Sequence, residues 1–288
     1  MKLITGETGG TTVAGYLDGA DVVICSEGPG ASQAVRGLVE AGGGAAAWAE
    51  QGKRRIPLSE VRLMAPIPTP LRDLFCVGKN YYEHAREFHS SGFDSTGKEA
   101  TPAAPIVFTK ATTSVVGPGD TVNASLDPTG TVDYEGELGV VIGKRAFQVP
   151  KASAFDVIFG YVIVNDVTSR ELQRKHGQWV IGKGLDTFCP MGPWLVTADE
   201  VGDVDRLELT TTVNGETRQS AKVADLIFDI PTLIETLTAT MTLLPGDIIA
   251  TGTPAGVGIG FTPPVYLAKG DVMSVSITGL GELANPVG

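Results

Sequence analysis

The sequence predicts a mainly β protein with some α, an α+β chain in which a rolled or sandwiched sheet follows a small N-terminal unit. Three observations predict it. From Ile106 onward, short apolar runs alternate with glycine turns: PIVFTK, GELGVVIGK, FGYVIVND, GPWLVT, LELTTTVNG, DIIATGT and DVMSVSITGLGEL. The 37 glycines and 18 prolines follow no period, which suits many turns between short strands. Helical periodicity is confined to two or three short stretches among these runs.

In chain order, TTVAGYL and DVVICSE read as short strands, followed by a modest helix around Ala31 to Ala41 that the glycines at 42 to 44 close. MAPIPTP carries Pro66, Pro68 and Pro70, each without a donor and each restraining its predecessor, so it suits neither a helix interior nor a central strand. The domain boundary falls there, between a small N-terminal domain over 1–65 and a larger one over 70–288. A strand over Leu74 to Val77, a turn at Gly78 and a helix carrying His84 and Glu87 come next. The polar stretch HSSGFDSTGKEATPAAP is long for a connection inside a compact domain, and residues 88–105 read either as a lid or as a plain surface loop. The clearest helix is IPTLIETLTATM, with Asp229 as cap, Pro231 near the first turn and Leu233, Ile234, Leu237 and Met241 as its apolar stripe.

Charge and composition narrow the function. A net charge of -11 over 288 residues, with no basic patch, argues against nucleic acid and anionic lipid as partners. The three cysteines are an odd number without a CxxC spacing, so they suggest neither a disulfide framework nor a zinc knuckle and fit a reducing cytoplasm. No leader-like segment and no run of about 18 apolar residues is present, so a cytoplasmic protein without a membrane association is expected.

The chemistry gathers at DYEGELGVVIGK. On a strand, Glu135 and Glu137 share one face while Tyr134, Leu138, Val140 and Ile142 share the other. Like charges that close push each other towards neutrality unless a cation sits between them. Asp166 ends the apolar run GYVIVND, directly before a helix SRELQRKH. Three carboxylates without histidine or cysteine form a hard oxygen set that suits Mg²⁺ or Mn²⁺ better than Zn²⁺. The plainer reading has the glutamates on a solvated face and Asp166 capping the helix.

CVGKNYYEHAREF, APIVFTK, DYEGELGVVIGK, FGYVIVNDVTSRELQ, GKGLDTFCPMGPWLVT, VNGETRQ and LLPGDIIATGTPAGVG together resemble the fumarylacetoacetate hydrolase superfamily, in its order, from about residue 70 onward. The resemblance implies that superfamily's rolled mixed β-sandwich as the catalytic domain. It implies Glu135, Glu137 and Asp166 as ligands of Mg²⁺ or Mn²⁺. His84 and Glu87 match the HxxE pair that activates water in the acylpyruvate-hydrolysing and oxaloacetate-decarboxylating branch. Arg170, Gln173 and Thr253 match substrate-facing positions, and Lys183 matches the active-site lysine of the GK motif. Fumarylacetoacetase itself places a further aspartate ligand where this chain has Val77, which argues against that enzyme.

The residues give these roles independent support. His84 and Glu87 stand at i, i+3 on one helical face, where a carboxylate fixes the imidazole's tautomer and raises its basicity. Arg170 and Gln173 share a helical face in the same way, and Gly182 and Gly184 leave room for Lys183 to approach a ligand. The implied activity is hydrolysis of a carbon–carbon bond in acylpyruvate-type 2,4-diketo acids, with a small keto acid as the binding partner and a homodimer as the working form. Oxaloacetate decarboxylation, and isomerisation or decarboxylation of 2-hydroxy-dienedioates, are the alternatives. A non-catalytic keto-acid binding protein is a third reading.

Overall fold

The computed structural model describes residues 1–42, 48, 50, 52, 54–94 and 99–288. Two sheets face each other. The larger has twelve strands, and its spatial order runs Arg54–Pro57, Asp21–Glu27, Thr11–Asp18, Lys2–Thr8, Cys189–Thr197, Ile158–Asn165, Gly136–Ile142, Ile248–Ala250, Leu74–Gly78, Ile106–Lys110, with two short strands attached to its path. The smaller is antiparallel, in the order Glu216–Lys222, Glu208–Val213, Val272–Ile277, Gly281–Pro286. The fold is mostly β with some α, as the alternating runs indicate.

Strand alternation explains how the layers are glued. Leu138, Val140, Ile142, Tyr161 and Ile163 point into a core shared with Leu209, Val275, Ile277 and Leu283 of the smaller sheet and with the helix Ile230–Thr238. Their neighbours Val141, Val162 and Val164 point the other way, into a core roofed by Val35, Leu38 and Val39 of the helix Ala34–Glu40. Burial on both faces makes GVVIG and YVIV continuously apolar in the sequence. The N-terminal strands extend this same sheet, since Lys2 and Leu3 pair with Val196 and Leu195.

The helices differ from expectation only at their ends. Asp229 accepts the Thr232 N–H at 2.8 Å, and Pro231 sits in the first turn. The helix stops at Thr238, so Met241 lies beyond the stripe and is exposed. Around Ala31 the chain first makes a 3₁₀ turn, Ala31–Gln33, and becomes α-helical at Ala34. The glycine close at 42 to 44 is described only at Gly42, and the expected lid only outside residues 95–98. Among the described residues, no helix is long and apolar enough to cross a membrane.

Candidate active site

The register of one strand pair assembles the carboxylates. Gly136–Ile142 and Ile158–Asn165 are antiparallel, with Gly136 opposite Asn165. Glu135, one residue before the first strand, therefore falls beside Asp166, one residue after the second. The Asp166 N–H donates to the Glu135 carbonyl at 2.8 Å, and the Glu135 N–H donates to Asn165 Oδ1 at 3.0 Å. Glu137 lies within the strand, whereas Glu135 belongs to the irregular link that precedes it. Side-chain hydrogen bonding thus replaces strict strand geometry at Glu135. Glu135, Glu137 and Asp166 are all buried, and one carboxylate oxygen from each lies within 4.8 Å of the others.

Basic side chains surround this set. Lys183 Nζ bridges Glu135 Oε2 at 2.7 Å and Asp166 Oδ2 at 2.8 Å. Lys110 Nζ lies 2.7 Å from Asp166 Oδ1. Arg170 spans Glu135 Oε1 at 2.6 Å through Nη1 and Asp133 Oδ2 at 2.8 Å through Nε. Among the described residues, four buried carboxylates, counting Asp133, are contacted by three cations, so one negative charge is left without a direct basic contact. That charge falls on Glu137, whose Oε2 accepts the Gly252 N–H at 2.9 Å.

The electrostatics follow from these contacts. Burial would raise the Glu135 pKa, but the Lys183 and Arg170 charges prevail and hold it at about 2. Glu137 is pushed well above the usual carboxylate range, by burial first and then by Asp166 and Glu135. Burial alone would lower Lys183, yet Asp166 and Glu135 raise it, so it stays an ammonium. A hard divalent cation fits this donor set: three clustered oxygen ligands, and a glutamate that no basic side chain contacts among the described residues and whose ionised form is disfavoured by burial and by its acidic neighbours.

His84 and Glu87 lie on the helix Tyr82–Ser90, as the spacing predicts. Glu87 Oε2 is 3.1 Å from His84 Nδ1, and Glu87 Oε1 accepts the Gly256 N–H at 3.0 Å. The carboxylate rests so closely on the loop that a Cβ at Gly260 would stand 1.8 Å from Oε1. Asp133 holds the same loop, accepting N–H groups from Gly258 at 2.7 Å and Ile259 at 3.1 Å.

His84, Glu135, Glu137, Arg170, Gln173, Lys183 and Thr253 line one narrow cavity, partly open to solvent, and Asp166 lies behind its wall. Arg170 is fully buried, and its Nη2 has no hydrogen-bond partner among the described residues. Buried donors are ordinarily satisfied, so this one is available to a ligand. Gln173 Oε1 accepts from Arg170 Nη1 at 3.3 Å. The Thr253 hydroxyl is engaged on both sides, donating to the Gly136 carbonyl at 3.0 Å and accepting from Gln219 Nε2 at 2.7 Å. Lys183 ends the short helix Val180–Lys183, which can approach because Gly182 has no side chain: a Cβ there would stand 2.4 Å from the Gln173 backbone nitrogen. Val77 lines the cavity as an apolar wall.

Sequence reasoning missed Lys110, Asp133 and Gln219. Lys110 closes the strand PIVFTK and is completely buried, and a lysine ending an apolar run was the available signal. Asp133 opens DYEGE, two residues before Glu135, and its link to Arg170 is long-range in sequence. Gln219 contributes Oε1 to the Gly136 N–H at 3.0 Å from an otherwise polar strand, so nothing local marked it.

Comparison with known proteins agrees with this architecture. The family model described as fumarylacetoacetate (FAA) hydrolase C-terminal matches residues 73–288. The oxaloacetate tautomerase YisK of Bacillus subtilis (strain 168) is 51% identical over 240 residues, 83% of this chain and 77% of that protein. A solved fumarylacetoacetate hydrolase from psychrophilic Exiguobacterium antarcticum superimposes with a TM-score of 0.85 at 39% identity, covering 100% of this chain and 99% of the other. Maleylpyruvate hydrolase from Sphingobium sp. SYK-6, solved with manganese(II) and pyruvate, gives a TM-score of 0.77 at 32% identity, with 100% and 98% coverage. By the extent of the family match and the identity of these relatives, this chain is a member of the fumarylacetoacetate hydrolase family, an enzyme family of hydrolases, isomerases and decarboxylases.

Proposed function

We propose that this chain is a divalent-metal-dependent enzyme that forms the enolate of a small 2-keto acid, cleaving the carbon–carbon bond of acylpyruvate-type 2,4-diketo acids. The carrying observation is that His84, Glu135, Glu137 and Arg170, whose Nη2 has no partner among the described residues, line one cavity, with Asp166 completing the carboxylate cluster and Glu87 contacting His84 from behind the wall. Glu135, Glu137 and Asp166 would hold Mg²⁺ or Mn²⁺, which when bound supplies Lewis-acid polarisation of the keto oxygen and stabilises negative charge.

The chain's own residues do the rest. Glu87 occupies His84 Nδ1, leaving Nε2 to take a proton from water while the carboxylate steadies the imidazolium. The water oxygen adds to C4, the C3–C4 bond breaks, and its electron pair leaves with pyruvate as the enolate, which is then protonated at C3. Arg170 Nη2 binds a substrate oxygen, with Gln173 and Thr253 shaping the wall around it. Lys183, held charged inside the wall, offsets the charge that develops on the enolate.

A second reading has its own support. Decarboxylation of oxaloacetate releases CO2 and leaves the same pyruvate enolate without added water, keto–enol exchange passes through oxaloacetate's own enolate by loss and return of a C3 proton, and the relative at 51% identity bears the name oxaloacetate tautomerase. The test is a panel of acetylpyruvate, fumarylpyruvate, oxaloacetate and a 2-hydroxy-dienedioate, each with Mg²⁺ or Mn²⁺ and ranked by kcat/KM. An acylpyruvate at the head of the ranking supports hydrolysis. Oxaloacetate ahead of both acylpyruvates transfers the assignment to the second reading, and no turnover of any member refutes both.

A further inference from the structure

One charged residue of the cavity wall, Lys79, has no role in the reaction described. Lys79 follows the strand Leu74–Gly78, is 3% exposed and lines the same wall as His84, Glu135 and Arg170. Its backbone is left-handed, with φ of 56°, a conformation a lysine adopts only when its surroundings impose it. They do so on both sides. A Cβ at Gly78 would stand 2.3 Å from the Trp179 ring, and the Asn80 side chain is fixed by the Thr251 carbonyl at 2.7 Å and the Phe228 N–H at 2.8 Å. The result is a lysine fixed on the cavity wall by a rigid turn, with its ammonium against Asp94.

The counter-charges of the cavity cations differ in origin. Arg170 and Lys183 take theirs from Asp133, Glu135 and Asp166, at or beside the strand ends. Lys79 Nζ takes its own from the segment after the helix, with Asp94 Oδ2 at 2.8 Å and the Glu99 carbonyl at 3.3 Å. Asp94 is also held by His89 Nδ1 at 3.0 Å, so it keeps a basic partner when it leaves Lys79. A carboxylate supplied from outside the sheet already sits on Lys79.

We propose that Lys79 is a specificity-determining residue that receives the second carboxylate of a dicarboxylate substrate, taking the place that Asp94 occupies. This rests on the keto-acid reading above and narrows it, favouring oxaloacetate and fumarylpyruvate over acetylpyruvate. A charge-assisted hydrogen bond of this kind corresponds to roughly ten- to a hundredfold in affinity.

The test is calorimetric and needs no turnover. With Mg²⁺ present, dissociation constants are measured for malate, which has the four-carbon dicarboxylate skeleton, and for oxalate, which has no second arm. In Lys79→Met the affinity for malate relative to oxalate is expected to fall roughly ten- to a hundredfold, and in Lys79→Arg to recover most of it. Asp94→Asn, which removes the competitor, is expected to tighten malate more than oxalate. Equal weakening of both ligands in Lys79→Met, or no binding of malate to the wild type, overturns the proposal. Should Lys79→Met fail to fold, Asp94→Asn decides alone: an unchanged malate-to-oxalate ratio overturns it. A malate preference without turnover of any panel substrate overturns the catalytic reading and leaves this subsite standing.

Discussion

Replacing Glu137 by Gln removes the one carboxylate of the set that no basic side chain contacts among the described residues, while keeping the side chain's shape and an oxygen for the Gly252 N–H at 2.9 Å. In metal-free protein the change relieves a buried like-charge contact, so stability should hold or rise. With metal the sign reverses. At a hundred times its dissociation constant a ligand stabilises the native state by about 2.7 kcal/mol. For a chain of 288 residues, each kcal/mol moves Tm by about 2 °C, so the wild type should gain about 5 °C. Loss of a direct ligand should weaken binding roughly a hundredfold, leaving about 0.4 kcal/mol and a Tm gain of under about 1 °C at the same metal concentration. Thermal unfolding followed by circular dichroism, with EDTA and with Mg²⁺, measures both quantities. A metal-dependent gain in the variant equal to that of the wild type would refute the assignment of Glu137, and with it the charge argument.

Other outcomes bear on the neighbouring parts. His84→Ala should lower kcat on the best panel substrate about a hundredfold or more while keeping the Mg²⁺-dependent Tm gain, and steady-state kinetics beside the melting curves checks it. Gly260→Ala sets a methyl against Glu87 Oε1, so kcat should fall about tenfold or more with the fold kept, as kinetics and far-ultraviolet dichroism would report. Burial would raise Asp127, but hydrogen bonds from Thr129 and Thr131 outweigh it and hold its carboxyl below its ordinary value of 3.8. Its stabilising contribution is therefore present above that value and lost as pH falls through the lowered one. Asp127→Asn should be less stable near pH 7 and show a flatter decline in urea midpoint between pH 5 and 3; an unchanged decline would exclude Asp127 from the acid transition.

Much of this architecture was legible because the signals were local. Alternation and glycine turns identified the strands, Asp229 and Pro231 marked a helix start, and i, i+3 spacing put Glu87 against His84. Glu135 and Glu137 were read from one strand, yet what brings Asp166 to them is the pairing of Gly136 with Asn165, a fact about two segments. The charge balance was equally hidden. Lys110 and Asp133 lie far in sequence from the partners that neutralise them, so the sequence displayed the anions without their compensation. Met241 misled because its periodicity continued past Thr238, where the helix ends, and its side chain is exposed.

Contacts link the two chemical halves of the cavity end to end. From His84 the path passes to Glu87, to the loop at Gly256 and Gly258, to Asp133, to Arg170 and finally to Glu135. A frame tied in this way keeps the base at a set distance from the carboxylates but offers no hinge of its own. Beside that frame, Asp94, from the stretch after Ser90, reaches Lys79 on the cavity wall, so loosening this contact in Asp94→Asn is expected to change substrate entry and release without disturbing the frame.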